Sequence, residues 1–405
     1  MTLLVLGWQR EVVAALTAER VDFLVLAGQT RWRRAAAHPD QSRWLPVLDH
    51  CDLEQVAPVA LELIRSGRTF EAVYTQDEFA MVTAAALAGV LGLPFMPVGT
   101  AIGFRHKPTQ KELLRRAGLP VADWQALSPR PDEACRQLAD FGPPLVVKPV
   151  DGAGVRLTEA ARTAGELADL LDRWAGDFAG QARGFMVERL IDGRECHLDG
   201  IVEAGTVRLF ALCRYRQNLL AIRTGSLFGS LVVDRDAEPE LWTTARQLCQ
   251  RALTALNLRT GPFHLEVFDT GRGLVFGECA ARIGGAFTAQ MIRHKYGFDL
   301  FAETARQLAH SPLGTVETRP GAVGYTVLSA PPGTLVDAPS EAELLAWTGV
   351  LRAKLEVQPG RPVPDTTRDT MTRSGMLLLT APDELALTSL MDEYARRFRQ
   401  LCTVV

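Results

Sequence analysis

The segment GPFHLEVFDTGRGLVFGECAARIGG, residues 261–285, constrains this chain more than any other. Phe263, Leu265 and Val267 alternate with His264, Glu266 and Phe268. Asp-Thr-Gly-Arg-Gly then turns the chain into the apolar run Leu274-Val275-Phe276. Alternation followed by a glycine-containing turn predicts a β-hairpin. Side chains alternate with period 2, so a register pairing even with even positions sets Glu266 and Glu278 on one face. Two inward carboxylates repel each other and lose solvation unless a cation joins them. Mg²⁺ suits such a pair, being held by one or two carboxylates with phosphates completing its shell. Taken alone, the segment fits an exposed hairpin with two solvated acids equally well.

At 405 residues the chain is long enough for two or three domains. Its 22% charged and 47% hydrophobic residues are those of a globular protein. The net charge of −3 gives no field favouring nucleic acid or an anionic membrane. The start, MTLLVLGWQR, lacks a basic flank before its short apolar run, so no signal peptide is expected. No later apolar run approaches the ~20 residues of a membrane span. Seven cysteines, none in a CxxC pair, fit buried thiols in a reducing cytoplasm. Only five of the 44 basic residues are lysines: Lys107, Lys111, Lys148, Lys295 and Lys354. A lysine at a site needing a compact point charge therefore stands out.

Residues 1–100 alternate strand and helix patterns. Leu3–Leu6, Phe23–Leu26, Ala72–Tyr74 and Leu93–Met96 read as strands, and Glu11–Glu19 and Glu78–Leu91 as helices. This βαβ rhythm predicts a small parallel sheet. Gly7 alone after the first strand is no dinucleotide fingerprint. Residues 108–118 read as a helix opened by proline and stopped by Gly118. Strands then dominate from Pro143, broken by helices over 161–174, Glu240–Leu256 and Phe301–Leu308. Beyond Pro320 come short strands with Pro/Gly turns and a closing helix, Asp383–Leu401.

Four motifs in order resemble the ATP-grasp superfamily, and within it the L-amino-acid ligases and related carboxylate–amine ligases. In RHKPTQKELLRRAGLPV, the resemblance makes Lys107 a nucleotide-phosphate lysine. In PPLVVKPVDGAGV, an apolar strand delivers Lys148 to a loop whose Gly152 and Gly154 can turn backbone N–H groups onto phosphate oxygens. That loop is shorter than the family's usual one. In MVERLIDGRE, the resemblance assigns the strand end, Glu188-Arg189-Leu190-Ile191, to adenine, with Glu188 accepting from the exocyclic amine. Glu195, seven residues on, then takes the ribose hydroxyls. In the hairpin, Glu266 and Glu278 take the metal positions of an E-x-N-x-R pattern, with Arg282 four residues after Glu278. Ala280 stands where the family has asparagine, so one oxygen ligand is missing.

The resemblance implies an ATP-grasp fold with an N-terminal Rossmann-like parallel α/β domain (1–103). It implies an ATP-grasp domain (104–315, lid about 122–193) and a small C-terminal α+β domain (316–405). ATP and Mg²⁺ are the implied cofactors, with Mn²⁺ an acceptable substitute. The implied reaction joins a small-molecule carboxylate, first of all an amino acid, to an amine through an acyl phosphate. Arg282, Lys148 and Arg223 are the implied catalytic cations, Arg282 facing the acyl phosphate or an acceptor carboxylate. Arg214 and Arg216 lie in the region where relatives hold the γ-phosphate and the carboxylate. His264 shares the face of Glu266 and is read as structural. Asp77-Glu78 is read equally as a substrate contact or as a helix cap with a first-turn acid. A carboxyphosphate-forming, bicarbonate-dependent ligase is the alternative reaction, and a non-catalytic nucleotide or amino-acid binder the alternative class. The expected protein is cytoplasmic and binds neither nucleic acid nor membrane; a homodimer is left open.

Overall fold

The computed structural model describes residues 2–28, 43–177 and 184–405. The N-terminal strands are β1 (Thr2–Leu6), β2 (Asp22–Gly28), β3 (Trp44–Val47) and β4 (Ala72–Thr75). They form a parallel sheet in the order β3-β2-β1-β4. Both faces are buried: Leu3, Val5, Phe23 and Val25 pack on one side, Leu4, Leu6, Leu24 and Leu26 on the other. This explains why these strands read as continuous apolar runs. Leu93–Met96, expected as a strand, is not one. Pro94 and Pro97 lack donors, and the segment's tie to the sheet is Val73 N–H to Pro94 O at 3.1 Å.

Strands β5 (Trp124–Ala126), β6 (Leu145–Pro149), β7 (Glu159–Ala161) and β8 (Phe185–Arg189) build a second, antiparallel sheet ordered β5-β8-β6-β7. Helices Pro131–Phe141 and Ala164–Asp177 accompany it, and Leu138, Leu170 and Trp174 close its core. Residues 178–183, within the expected lid range, lie outside the described residues.

The third sheet has eight strands. Its chain order is β9 (Arg194–Glu203), β10 (Thr206–Tyr215), β11 (Gly229–Val232), β12 (Gly261–Asp269) and β13 (Leu274–Ala280). After β14 (Ala322–Leu328) and the short β15 (Leu335–Asp337) come β16 (Val350–Leu355) and β17 (Gly375–Ala381), with β18 (Thr403–Val404) pairing β15. The spatial order is β13-β12-β9-β10-β11-β14-β17-β16, so the strands after residue 320 continue the same sheet through β11–β14 pairing. The closing helix, Glu384–Leu401, is capped by Asp383 and packs Leu387, Met391, Tyr394 and Phe398 inward. No helix among the described residues is long and apolar enough to cross a membrane.

Candidate active site

The large sheet has two chemically different faces. On one face of β9, β10 and β12, Cys196, Leu198, Phe210, Leu212, Leu265 and Val267 join the main core beside helix Pro239–Ala255. The opposite face carries Glu195, His197, Asp199, Cys213, Tyr215, His264 and Glu266 in register. Period-2 alternation thus sorts the core from the polar groups. Glu266 stands directly across from Glu278, and His264 across from Ala280. A bulge follows at Glu266/Val267, shifting parity toward the turn.

Helix Lys107–Arg116 lies against this hairpin. Its buried face is Lys107, Gln110, Lys111 and Leu114, the i, i+3, i+4, i+7 pattern. Gln110 donates to Cys279 O (2.7 Å) and accepts from Cys279 N–H (2.8 Å), completing the strand's edge. Lys107 Nζ then meets Glu278 Oε2 at 3.2 Å and donates to Gly152 O at 2.5 Å. Burial opposes ionisation of Glu278, but Lys107 and Lys148 outweigh it and hold the carboxyl below its ordinary value.

Lys148 and Lys111 both grip Glu188, at 2.5 and 2.8 Å. Burial alone would raise the Glu188 pKa; the two ammonium groups bring it down to about 2. Sequence reasoning placed Lys107 and Lys148 but gave Lys111 no role, although its one-turn spacing from Lys107 was the available signal. The Glu188 carboxylate, expected to take an adenine amine, is already held by these two lysines. Arg189 donates to the Phe141 and Gly142 carbonyls at 2.6 Å, and Leu190 N–H donates to Pro144 O at 3.2 Å. Ile191 follows at the strand's end. Glu195 Oε2 accepts Leu219 N–H at 2.7 Å, while burial and the nearby Glu266 charge push its pKa well above the ordinary value.

Glu266 accepts from Tyr215 Oη at 3.0 Å. His264 Nδ1 lies 2.9 Å from Asp199 Oδ1, and its Nε2 lies 3.5 Å from Glu266 Oε1. His197 joins the other Asp199 oxygen (2.5 Å) and Ser230 Oγ (2.7 Å). Burial would lower the His264 pKa, but Asp199, with Glu266 adding to it, raises it to about 10. Gly284 makes room for this pair: a Cβ there would stand 2.7 Å from Asp199 Oδ1 and 3.0 Å from His264 Nδ1.

Arg282 Nε donates to Glu78 Oε2 at 2.8 Å, and Arg105 to Glu78 Oε1 at 2.7 Å. Glu78, whose side chain is 12% exposed, is therefore a bridge from the N-terminal sheet to the hairpin, beyond its place in the first turn after Asp77, whose carboxylate accepts Phe79 N–H at 3.1 Å. Arg105 also donates to Asp151 O in the glycine loop (2.7 Å), and Gly154 O accepts Thr370 N–H (3.0 Å). Three arginines fall outside the cluster. Arg214 and Arg216 alternate with Cys213 and Tyr215, so β10 turns them to the other face, against Glu238, Glu384 and Asp392. They therefore stand on the side of the strand away from the carboxylate cluster. Arg223 pairs with Glu159 on β7 and reaches Thr367 O at 3.5 Å.

Glu266 and Glu278, with oxygen donors on facing strands and lysines alongside, fit a divalent cation bearing phosphates. An ATP-grasp domain matches residues 141–290. The chain is 26% identical over 340 residues to an L-arginine-specific L-amino acid ligase of Bacillus subtilis, covering 82% of this chain and 81% of that one. An L-amino acid ligase structure from Bacillus licheniformis superposes with a TM-score of 0.76 at 18% identity, over 100% of this chain and 98% of the other. A carboxyaminoimidazole ribonucleotide synthase from Aspergillus clavatus complexed with ATP gives 0.73 at 18% identity, over 98% and 99%.

Proposed function

We propose that this chain, which belongs to the ATP-grasp superfamily of carboxylate–amine ligases, couples an amino acid carboxylate to an amine at the expense of ATP. The observation that carries it is Glu266 facing Glu278 across adjacent strands, with Lys107 on Glu278 and the glycine loop. A substrate carboxylate oxygen attacks the γ-phosphorus and ADP leaves. The amine nitrogen then attacks the acyl carbon, phosphate leaves with the acyl–oxygen electron pair, and the nitrogen gives up a proton. No covalent nucleophile is needed, only positioning and charge.

Mg²⁺ held by Glu266 and Glu278 would supply neutralisation of phosphate charge. Lys107 and Lys148 sit where they can add to it, and each exchanges a carboxylate partner for phosphate oxygens when nucleotide enters. Gly152 and Gly154 offer backbone N–H groups over the phosphates, and Glu188–Ile191 with Glu195 flank the nucleoside. Arg282 balances the anion of the acyl phosphate, with Glu78 fixing its orientation. Arg223, through Glu159, ties the β5–β8 sheet over the cleft and keeps water from the acyl phosphate. The domain divisions near residues 103 and 315, a cytoplasmic setting and a dimeric assembly belong to the same proposal.

Hydroxylamine trapping tests the intermediate. With Mg·ATP and one amino acid, the reading expects an amino acid hydroxamate and stoichiometric ADP. ADP formed with bicarbonate alone and no hydroxamate would favour the carboxyphosphate reaction instead.

A further inference from the structure

The missing asparagine at position 280 has a neighbour with a different donor. Ala280 pairs directly with His264 on β12. The methyl of Ala280 offers no donor or acceptor there, while Glu266 and Glu278 share the face with His264. His264 is 8% exposed, and its Nδ1 is fixed by Asp199 at 2.9 Å. Its Nε2 lies 3.5 Å from Glu266 Oε1. Ligands about 2.1 Å from one ion and at right angles stand roughly 3 Å apart, so small adjustments let these two atoms share one cation. A carboxylate on the far nitrogen of an imidazole is the usual support for a metal-bound histidine.

We infer that His264 Nε2 is a ligand of the catalytic cation, in the place left by the asparagine, giving the site a mixed nitrogen–oxygen donor set. The inference rests on the metal role of Glu266 and Glu278. Imidazole favours first-row transition ions over Mg²⁺ in the Irving–Williams sense. Mn²⁺ and Co²⁺ should therefore bind this protein more tightly, relative to Mg²⁺, than they bind an oxygen-only site. On binding, the ion takes the place of the Nε2 proton, which is released to solvent. Asp199, anchored by His197, keeps the ring turned toward Glu266.

The test is electron spin-echo envelope modulation of Mn²⁺ bound with ADP to the intact protein, read for coupling to an imidazole ¹⁴N. The wild-type protein should show that coupling, and a preference for Mn²⁺ over Mg²⁺ that falls about 10-fold in His264→Gln. Glu266→Gln serves as the control for the metal site itself. Tight Mn²⁺ binding without nitrogen coupling in the wild type, lost in Glu266→Gln, would overturn the histidine ligand and leave the carboxylate site standing. Absence of Mn²⁺ binding in the wild type would overturn both. The wild-type spectrum decides the matter even where His264→Gln fails to fold.

Discussion

Glu188 joins two lysines at the edge of the cleft. It neutralises Lys111, which is 1% exposed, and Lys148 together. Removing it strands a buried ammonium, so Glu188→Ala should cost about 3–5 kcal/mol in denaturant unfolding. The pH dependence follows the same pair. The folded pKa of about 2 lies below the ordinary 4.5, so the unfolded chain takes up protons first as pH falls. The stability Glu188 contributes is present above about pH 4.5 and is lost between there and pH 2; acid titration of unfolding free energy should show a steeper loss in the wild type than in Glu188→Gln. At the proposed metal carboxylates, Glu278→Gln should cut ADP release by at least about 10²-fold with the near-ultraviolet dichroism unchanged. These residues differ in how readable they were. Glu266 and Glu278 were marked by strand parity, and Lys107 and Lys148 by the scarcity of lysine. Lys111, Tyr215 and Asp199 were not, because their partners are 51 to 166 residues away in several cases and no local pattern encodes such a contact.

Elements reach the cleft by a few specific ties. Gln110 satisfies both backbone groups of Cys279 and so fixes helix Lys107–Arg116 to β13. Gln110→Ala leaves a buried N–H and C=O unpaired and should destabilise the protein by about 1–3 kcal/mol, measured by urea unfolding. The sequence marked this helix well, through Pro108 and Gly118, and marked the hairpin and the closing helix equally well. It misled at Leu93–Met96, where β propensity was present but proline removed the donors a ladder needs. It also hid Arg214 and Arg216: a run of arginines looks alike on either side, and only the β10 register separates them from Tyr215.

At the scale of the molecule, the cleft gathers the N-terminal parallel sheet through Glu78, the β5–β8 sheet through Lys148 and the glycine loop, and the long sheet through Glu266 and Glu278. The strands after residue 320 read as a separate texture because their turns are rich in Pro and Gly, while the hydrogen bonds that extend the sheet are invisible to composition. The Gly154–Thr370 bond links those late turns to the glycine loop, and Arg223 bridges from them, through Thr367 O, to Glu159 on β7. Arg223→Ala should therefore speed amide exchange in residues 151–161 with little change elsewhere, and saturating Mg·ATP should slow it. The most direct measurement is ADP and phosphate release from Mg·ATP across a matrix of amino-acid pairs, with mass spectrometry of the products. Release that needs both members of a pair, with a product lighter than their sum by one water, is the predicted result. ADP release driven by bicarbonate without a second carboxylate, or bound ATP that no pair can turn over, would contradict it.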